Sequence, residues 1–193
     1  MRKIRRLCVY CGSAGAVDER YRAAASELGT GLAAAGIGLV YGGGRIGLMG
    51  LLADAVLAGG GHVTGVIPRR LGDAEVAHRG ASELVIVASM HERKRVMAER
   101  ADAFAVLPGG IGTLDETLEI VTWRQLRLHD KPIFLVDVAG YWRPLIALLD
   151  HVVAERFAAP LVPDLAQIVP DVPALLEAVS RQEAGHATQS ELL

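Results

Sequence analysis

Short apolar runs alternate with longer stretches of helical period along the chain. The short runs are rich in Val, Ile and Leu, and most are apolar at every position, as expected for strands that are covered on both faces of a sheet. The longer stretches are rich in Ala and Leu, and their apolar residues recur every three or four positions, as on one face of a helix. This alternation predicts an α/β fold with a parallel sheet.

The apolar runs predict strands near Ile4–Tyr10, Gly38–Tyr41, His62–Ile67, Glu83–Val87, Ala103–Leu107 and Ile133–Val136. The stretches between them predict helices near Asp18–Ala35, Gly47–Ala58, Met90–Arg100, Thr113–Leu128, Tyr141–Glu155 and Val172–Gln182. Elements in this order are typical of a Rossmann-like, doubly wound parallel sheet flanked by helices. We expect a single domain over residues 1–182 and a flexible polar tail over residues 183–193.

Composition and charge argue against nucleic-acid binding and against insertion into a membrane. The chain has 193 residues, 51% of them hydrophobic, with 20 Lys and Arg against 22 Asp and Glu. A nucleic-acid-binding protein usually carries a basic excess, which this chain lacks. No apolar stretch reaches the ~20 residues that cross a bilayer, and the apolar run after the N-terminal arginines is too brief for a signal peptide. We therefore expect a cytoplasmic protein with neither nucleic acid nor membrane as partner.

The strongest local motif is a glycine-rich segment, Pro108–Thr113, which follows an apolar strand and opens a helix. Glycines there let backbone N–H groups approach an anion at the helix N-terminus, where the helix dipole favours negative charge. The alternative is a tight turn followed by a capping box, in which Glu116 only returns to the backbone N–H of Thr113. Because three glycines follow the proline, the sequence favours a phosphate site.

A second glycine cluster also joins a strand to a helix. Gly42, Gly44 and Gly47 match G-x-G-x-x-G, a pattern typical of dinucleotide sites. That fingerprint requires an acidic residue about 20 positions later, where this chain has Val66–Arg70. NAD is therefore disfavoured, whereas the arginines leave an NADP-dependent oxidoreductase open.

Arg93 lies near the start of a predicted helix, where a cation gains nothing from the helix dipole. The residues before it, Ser89 and Glu92, have the spacing of a capping box, so we interpret Glu92 as structural. Arg93 itself has two interpretations of equal weight, a functional side chain and a solvated arginine.

Cys8 and Cys11 form C-x-x-C on or just after the first strand. Their offset points them to opposite faces of the sheet, so buried reduced thiols are favoured over a redox or zinc site. The six histidines show no H-x-x-x-H spacing, and we expect no metal.

Taken together, Ser89–Lys94 and Pro108–Glu116 resemble the paired signature of the Lonely Guy family, cytokinin-activating phosphoribohydrolases often mislabelled as lysine decarboxylases. The likeness runs from about Cys8 to about Asp150 and includes Cys11–Ser13, Tyr41–Gly44 and Gly47–Gly50. Enzymes of that family hydrolyse the N-glycosidic bond of nucleoside 5'-monophosphates that carry adenine or N6-prenylated adenine. The products are the free base and ribose 5-phosphate, and the resemblance implies this reaction here.

The resemblance implies Arg93 and Glu116 as the catalytic pair. It also implies a phosphate loop, the name used below for residues Gly109, Gly110, Ile111, Gly112 and Thr113. Further substrate-binding positions implied by it are Ser13, Gly43, Gly44, Glu75, Met90, Lys94, Leu114, Asp115 and Thr122. The resemblance also implies a homodimer, because family members of this length look like homodimers, and we expect no cofactor. The chain departs from the usual pattern at Ala14, where a second serine is common, and at Asp115, which replaces a glutamate.

The implied chemistry suits the residue types. Cleavage of an N-glycosidic bond passes through an oxocarbenium-like state that a carboxylate such as Glu116 can stabilise. Arginine does not give up its proton in proteins, so we expect Arg93 to act through its positive charge, by positioning Glu116 and by contacting the phosphate. A pyridoxal phosphate decarboxylase would need a Schiff-base lysine, and the chain has only Lys3, Lys94 and Lys131. The competing hypothesis is a nucleotide-binding or sensing module without catalysis, which would need the glycine loops but not Arg93 with Glu116.

Overall fold

The computed structural model describes residues 3–71, 76–158 and 165–190. In this part of the chain the strands are β1 (Arg6–Tyr10), β2 (Gly38–Tyr41), β3 (Val63–Pro68), β4 (Glu83–Val87), β5 (Ala103–Val106), β6 (Ile133–Val136) and β7 (Gln167–Val169). The helices are α1 (Glu19–Ala34), α2 (Gly47–Ala58), α3 (Arg69–Leu71), α4 (Met90–Arg100), α5 (Ile111–Gln125), α6 (Arg143–Ala154) and α7 (Val172–Ser190). The strands pair in parallel, in the order β4-β3-β2-β1-β5-β6-β7.

Helices cover both faces of the sheet and bury a core on each. Helices α1, α2 and α7 pack against the face to which β1 contributes Leu7 and Val9. Helices α4, α5 and α6 pack against the opposite face, to which β1 contributes Cys8 and Tyr10. The expected Rossmann-like, doubly wound architecture is confirmed, and none of the described helices is both long and apolar enough to cross a membrane.

Most predicted elements are present, and the differences have local causes. The bounds of α2 and α4 agree with the prediction, whereas α5 begins at Ile111 rather than Thr113. Strand β7 was not predicted, because it is an edge strand of 3 residues, two of them exposed, and so short a segment has little apolar pattern. Residues 183–190 continue α7 as helix, and the flexibility expected of residues 183–193 stays a prediction.

The sheet order creates a crevice where the candidate site lies. Strand β1 has β2 on one side and β5 on the other, so the direction of winding changes between β1 and β5. Ligands of such sheets bind at this switch point, beside the carboxyl ends of the strands. The loops there are joined, because the Gly12 N–H donates to the Pro108 carbonyl at 3.1 Å and the Leu48 N–H donates to the Gly12 carbonyl at 3.0 Å.

Candidate active site

The structure brings Arg93 and Glu116 together, although they lie on different helices. Arg93 lies on the first turn of α4 and Glu116 on the second turn of α5. The Nη1 atom of Arg93 donates to Oε1 of Glu116 at 2.9 Å. Both residues are buried, with exposed fractions of 9% and 7%. The alternative of a solvated arginine is therefore wrong.

Two backbone carbonyls accept further hydrogen bonds from the Arg93 guanidinium. Nε donates to the carbonyl of Val66 at 3.1 Å, and Nη2 donates to the carbonyl of Gly42 at 3.3 Å. A Cβ atom at Gly42 would lie 1.8 Å from Nη2, so only glycine leaves room for the guanidinium. Gly42 matched a dinucleotide fingerprint, but in the structure a glycine is needed there because the Arg93 guanidinium lies so close to its backbone.

The environment of Glu116 changes its affinity for a proton. Burial raises the pKa of the Glu116 carboxyl above its usual range, and the neighbouring charge of Asp115 acts in the same direction. The positive charge of Arg93 opposes this rise, and Lys94 contributes to the opposition. The protonation state of Glu116 therefore depends on how closely Arg93 approaches it.

The start of α5 excludes the capping-box interpretation of Thr113 and Glu116. The residue that precedes the helix is Gly110, and no side chain caps the helix there. Thr113 lies inside the first turn, where its carbonyl accepts the Thr117 hydroxyl at 2.6 Å, and Glu116 binds Arg93 instead. Ile111 is 82% exposed. The first backbone N–H groups of α5 thus face a surface that an anion can reach.

The capping box predicted at the start of α4 is confirmed. The Glu92 N–H donates to the Ser89 hydroxyl at 3.1 Å, and the Glu92 carboxylate accepts the Ala88 N–H at 2.7 Å. Glu92 is therefore structural, as interpreted from the sequence. Met90, the first residue of this helix, is exposed.

Lys94 links α4 to α5 beside Arg93 and Glu116. Its Nζ atom lies 3.1 Å from a carboxylate oxygen of Asp115 and 3.1 Å from one of Glu119. Burial disfavours the charged amine, but the hydrogen bonds to these carboxylates outweigh it and raise the pKa of Lys94. A lysine held protonated in this way is poorly suited to forming a Schiff base. Glu119 was not among the predicted site residues, although it lies three residues after Glu116 on the same helix.

Ser13, Gly109 and Gly110 line a cavity of about 290 Å³ at the carboxyl ends of β1 and β5. Tyr141, which follows β6, lines the same cavity, and its hydroxyl donates to the carbonyl of Gly109 at 2.6 Å. Tyr141 was not among the predicted site residues. The sequence could have indicated Tyr141, because it follows β6, and loops after parallel strands meet at the same edge of the sheet as the phosphate loop.

The remaining predicted positions do not all converge on Arg93 and Glu116. Gly43 and Gly44 are buried in the loop after β2, where the Gly43 carbonyl accepts the His78 N–H at 2.8 Å. Leu114 packs against the core between the sheet and α4–α6. Thr122 is exposed near the end of α5, and its hydroxyl donates to the Leu118 carbonyl of the same helix. Glu75 lies outside the described residues.

Cys8 and Cys11 are free, buried thiols on opposite faces of the sheet, which confirms the sequence interpretation. Burial raises the pKa of both thiols above the usual range, so they are poor nucleophiles. Within residues 3–71, 76–158 and 165–190, no group of three or more His, Cys, Asp or Glu side chains is placed to hold a metal ion.

Comparison with known proteins gives consistent matches. A family model described as "Possible lysine decarboxylase" matches residues 49–179. A cytokinin riboside 5'-monophosphate phosphoribohydrolase of Arabidopsis thaliana is 47% identical over 181 residues, covering 94% of this chain and 84% of the relative. An enzyme of the same description from Oryza sativa subsp. japonica is 49% identical over 181 residues, covering 94% of this chain and 74% of the relative.

A solved structure supports the fold independently. The molybdenum cofactor carrier protein of Chlamydomonas reinhardtii superposes with a TM-score of 0.71 at 24% identity, covering 95% of this chain and 99% of that one. At this level of identity the likeness shows the fold alone.

Proposed function

The chain belongs to the Lonely Guy family of cytokinin riboside 5'-monophosphate phosphoribohydrolases, and we infer that it hydrolyses the N-glycosidic bond of adenosine 5'-monophosphates, N6-substituted or not. The products are the free base and ribose 5-phosphate. The single structural observation that carries this function is the buried contact of Arg93 with Glu116, beside a helix N-terminus that no side chain caps.

We propose that the 5'-phosphate binds at the phosphate loop. The N–H groups of the first turn of α5 supply donors there, and the helix dipole adds favourable charge. Glu116 lies three residues beyond Thr113 on the helix, a rise of about 4.5 Å. A nucleotide held by its phosphate at this loop therefore presents its ribose, rather than the far edge of its base, to the Glu116 carboxylate.

Glu116 then acts on the reacting carbon. As the bond between C1' and the purine nitrogen breaks, its electron pair leaves with the purine and positive charge develops on C1' and the ring oxygen. The carboxylate of Glu116 stabilises this charge while a water molecule adds to C1'. The water supplies the hydroxyl of ribose 5-phosphate, and its other proton balances the charge of the departing purine. Arg93 stays protonated and holds Glu116 in place.

The family label of lysine decarboxylase does not fit this site. Lys94 is the lysine beside the catalytic pair, and two carboxylates keep it charged. A sensing module without catalysis fits the glycine loops, but it gives no reason to bury an ion pair, which costs desolvation energy. The enzymatic function accounts for both features.

The test of the function is product analysis. The purified protein, incubated with AMP and with isopentenyladenosine 5'-monophosphate, is expected to release the free base and ribose 5-phosphate, resolved by chromatography. Adenosine, which lacks the phosphate, is expected to be a poor substrate. Nucleotides that stay intact but raise the melting temperature would instead identify a sensing module.

We further propose that the protein is a cytoplasmic homodimer that binds a nucleotide substrate and has neither nucleic acid nor membrane as a partner. Leu118 on α5 and Ile168 on β7 are 43% and 46% exposed and line the same apolar cavity as Leu149 of α6, and exposed apolar patches mark interaction surfaces. Two free cysteines suit a reducing compartment. Light scattering is expected to give twice the 20.5 kDa mass of one chain, and a mass of one chain at micromolar concentration would contradict the dimer.

A further inference from the structure

The peptide between Gly109 and Gly110 lies in the phosphate loop, directly before the start of α5. Glycine flanks it on both sides, and glycine adopts many backbone conformations at little cost. A Cβ atom built at Gly110 would meet nothing within 4 Å, whereas one built at Gly109 would lie 2.1 Å from the Thr113 hydroxyl oxygen, so only the Gly110 side of the peptide is open. A hydrogen bond to the carbonyl of this peptide therefore helps to fix the orientation of the peptide.

The orientation of this peptide matters for anion binding. In a trans peptide the carbonyl of one residue and the N–H of the next point in opposite directions. Rotation of the Gly109–Gly110 peptide would therefore turn the Gly109 carbonyl, an acceptor, to the side where the Gly110 N–H, a donor, had pointed. A carbonyl oxygen turned towards a phosphate would repel it, whereas a carbonyl held elsewhere leaves the loop able to bind an anion.

Tyr141 holds this carbonyl. Its hydroxyl donates to the Gly109 oxygen at 2.6 Å, and both residues line the cavity that Gly110 also lines. We propose that Tyr141 is a positioning residue, which fixes the Gly109–Gly110 peptide in the orientation that accepts the 5'-phosphate of the substrate. The proposal rests on the proposed function, since it concerns the phosphate-binding part of that same site.

The turn after β6 holds Tyr141 firmly. Ala139 and Gly140 both have positive φ, of 54° and 76°, which reverses the chain just before Tyr141. The backbone N–H of Trp142 donates to the Asp137 carboxylate at 2.6 Å. The Trp142 ring is buried and meets the Tyr141 ring edge-on at 4.9 Å between centroids. The Tyr141 ring is 37% exposed, and its edge-on contacts with Trp142 and, at 5.5 Å between centroids, with Tyr21 orient its hydroxyl towards Gly109.

The experiment compares Tyr141→Phe with a matched control, Tyr41→Phe. The Tyr41 hydroxyl is buried and has no hydrogen-bond partner in the described structure, so its removal loses no hydrogen bond. For Tyr141→Phe, the KM for AMP and the Kd for ribose 5-phosphate are expected to rise about three- to tenfold, the value of one neutral hydrogen bond. The kcat is expected to stay within about twofold, because the contact orients a binding group and not the reacting atoms.

Two results would overturn the role of Tyr141. One is a Kd for ribose 5-phosphate in Tyr141→Phe that matches the Kd of Tyr41→Phe. The other is a fall in kcat with an unchanged KM, which would place the hydroxyl in the chemical step. Calorimetry of AMP and ribose 5-phosphate needs no turnover, so an inactive wild-type protein would refute the proposed function while the binding data still test Tyr141.

Discussion

Replacing Glu116 with Gln is expected to lower kcat by about 10²- to 10³-fold, the usual loss when a charge-stabilising contact of the transition state is removed. Glutamine has the same size as glutamate, and its side-chain oxygen can still accept from Nη1 of Arg93. What it lacks is the negative charge that faces the developing positive charge on the ribose. Steady-state kinetics with AMP, together with a thermal melt of the variant, measure the effect.

The control for this prediction is Glu92→Gln. Glu92 is a carboxylate beside Arg93 in the chain, but it caps α4 through the Ala88 N–H. Glutamine also serves in a capping box, so this variant is expected to keep both its activity and its melting temperature. Turnover of Glu116→Gln within threefold of wild type would mean that Glu116 is not catalytic.

The fold was predictable because its signals are local. Strands covered on both faces are apolar throughout, and amphipathic helices between them show their period, as the agreement at α2 and α4 shows. The failures were also local in origin. Strand β7 is too short to show a pattern of apolar residues. Helix α5 begins at Ile111, directly after Gly110, whereas the prediction began it at Thr113.

The candidate site was only partly predictable, since its contacts join distant segments. Arg93 and Glu116 were identified by resemblance, but their 2.9 Å contact depends on the packing of α4 beside α5. Gly42 matched a nucleotide motif, whereas its structural reason is a guanidinium from a residue 51 positions away. A local sequence pattern contains the glycine but not the distant side chain that fills the space beside it, so it could not predict the contact with Arg93.

Replacing Arg93 with Met is expected to lower kcat/KM by about 10²-fold or more, and to change its dependence on pH. Burial raises the pKa of Glu116, and the charge of Arg93 opposes that rise. Without Arg93 the pKa rises further, so the carboxylate needed for the reaction is lost at a higher pH. The acid limb of the kcat/KM profile is therefore expected to move to higher pH, and the deficit relative to wild type is expected to shrink as pH increases.

Gly42→Ala tests the same contact while keeping the arginine. The added Cβ atom would lie 1.8 Å from Nη2 of Arg93, so the guanidinium must move away from its place beside Glu116. This variant is expected to lose activity and to shift the acid limb in the same direction as Arg93→Met. Gly15→Ala is the control, because a Cβ atom there meets nothing within 4 Å. An unshifted acid limb in both Arg93→Met and Gly42→Ala would show that Arg93 does not tune the Glu116 carboxyl.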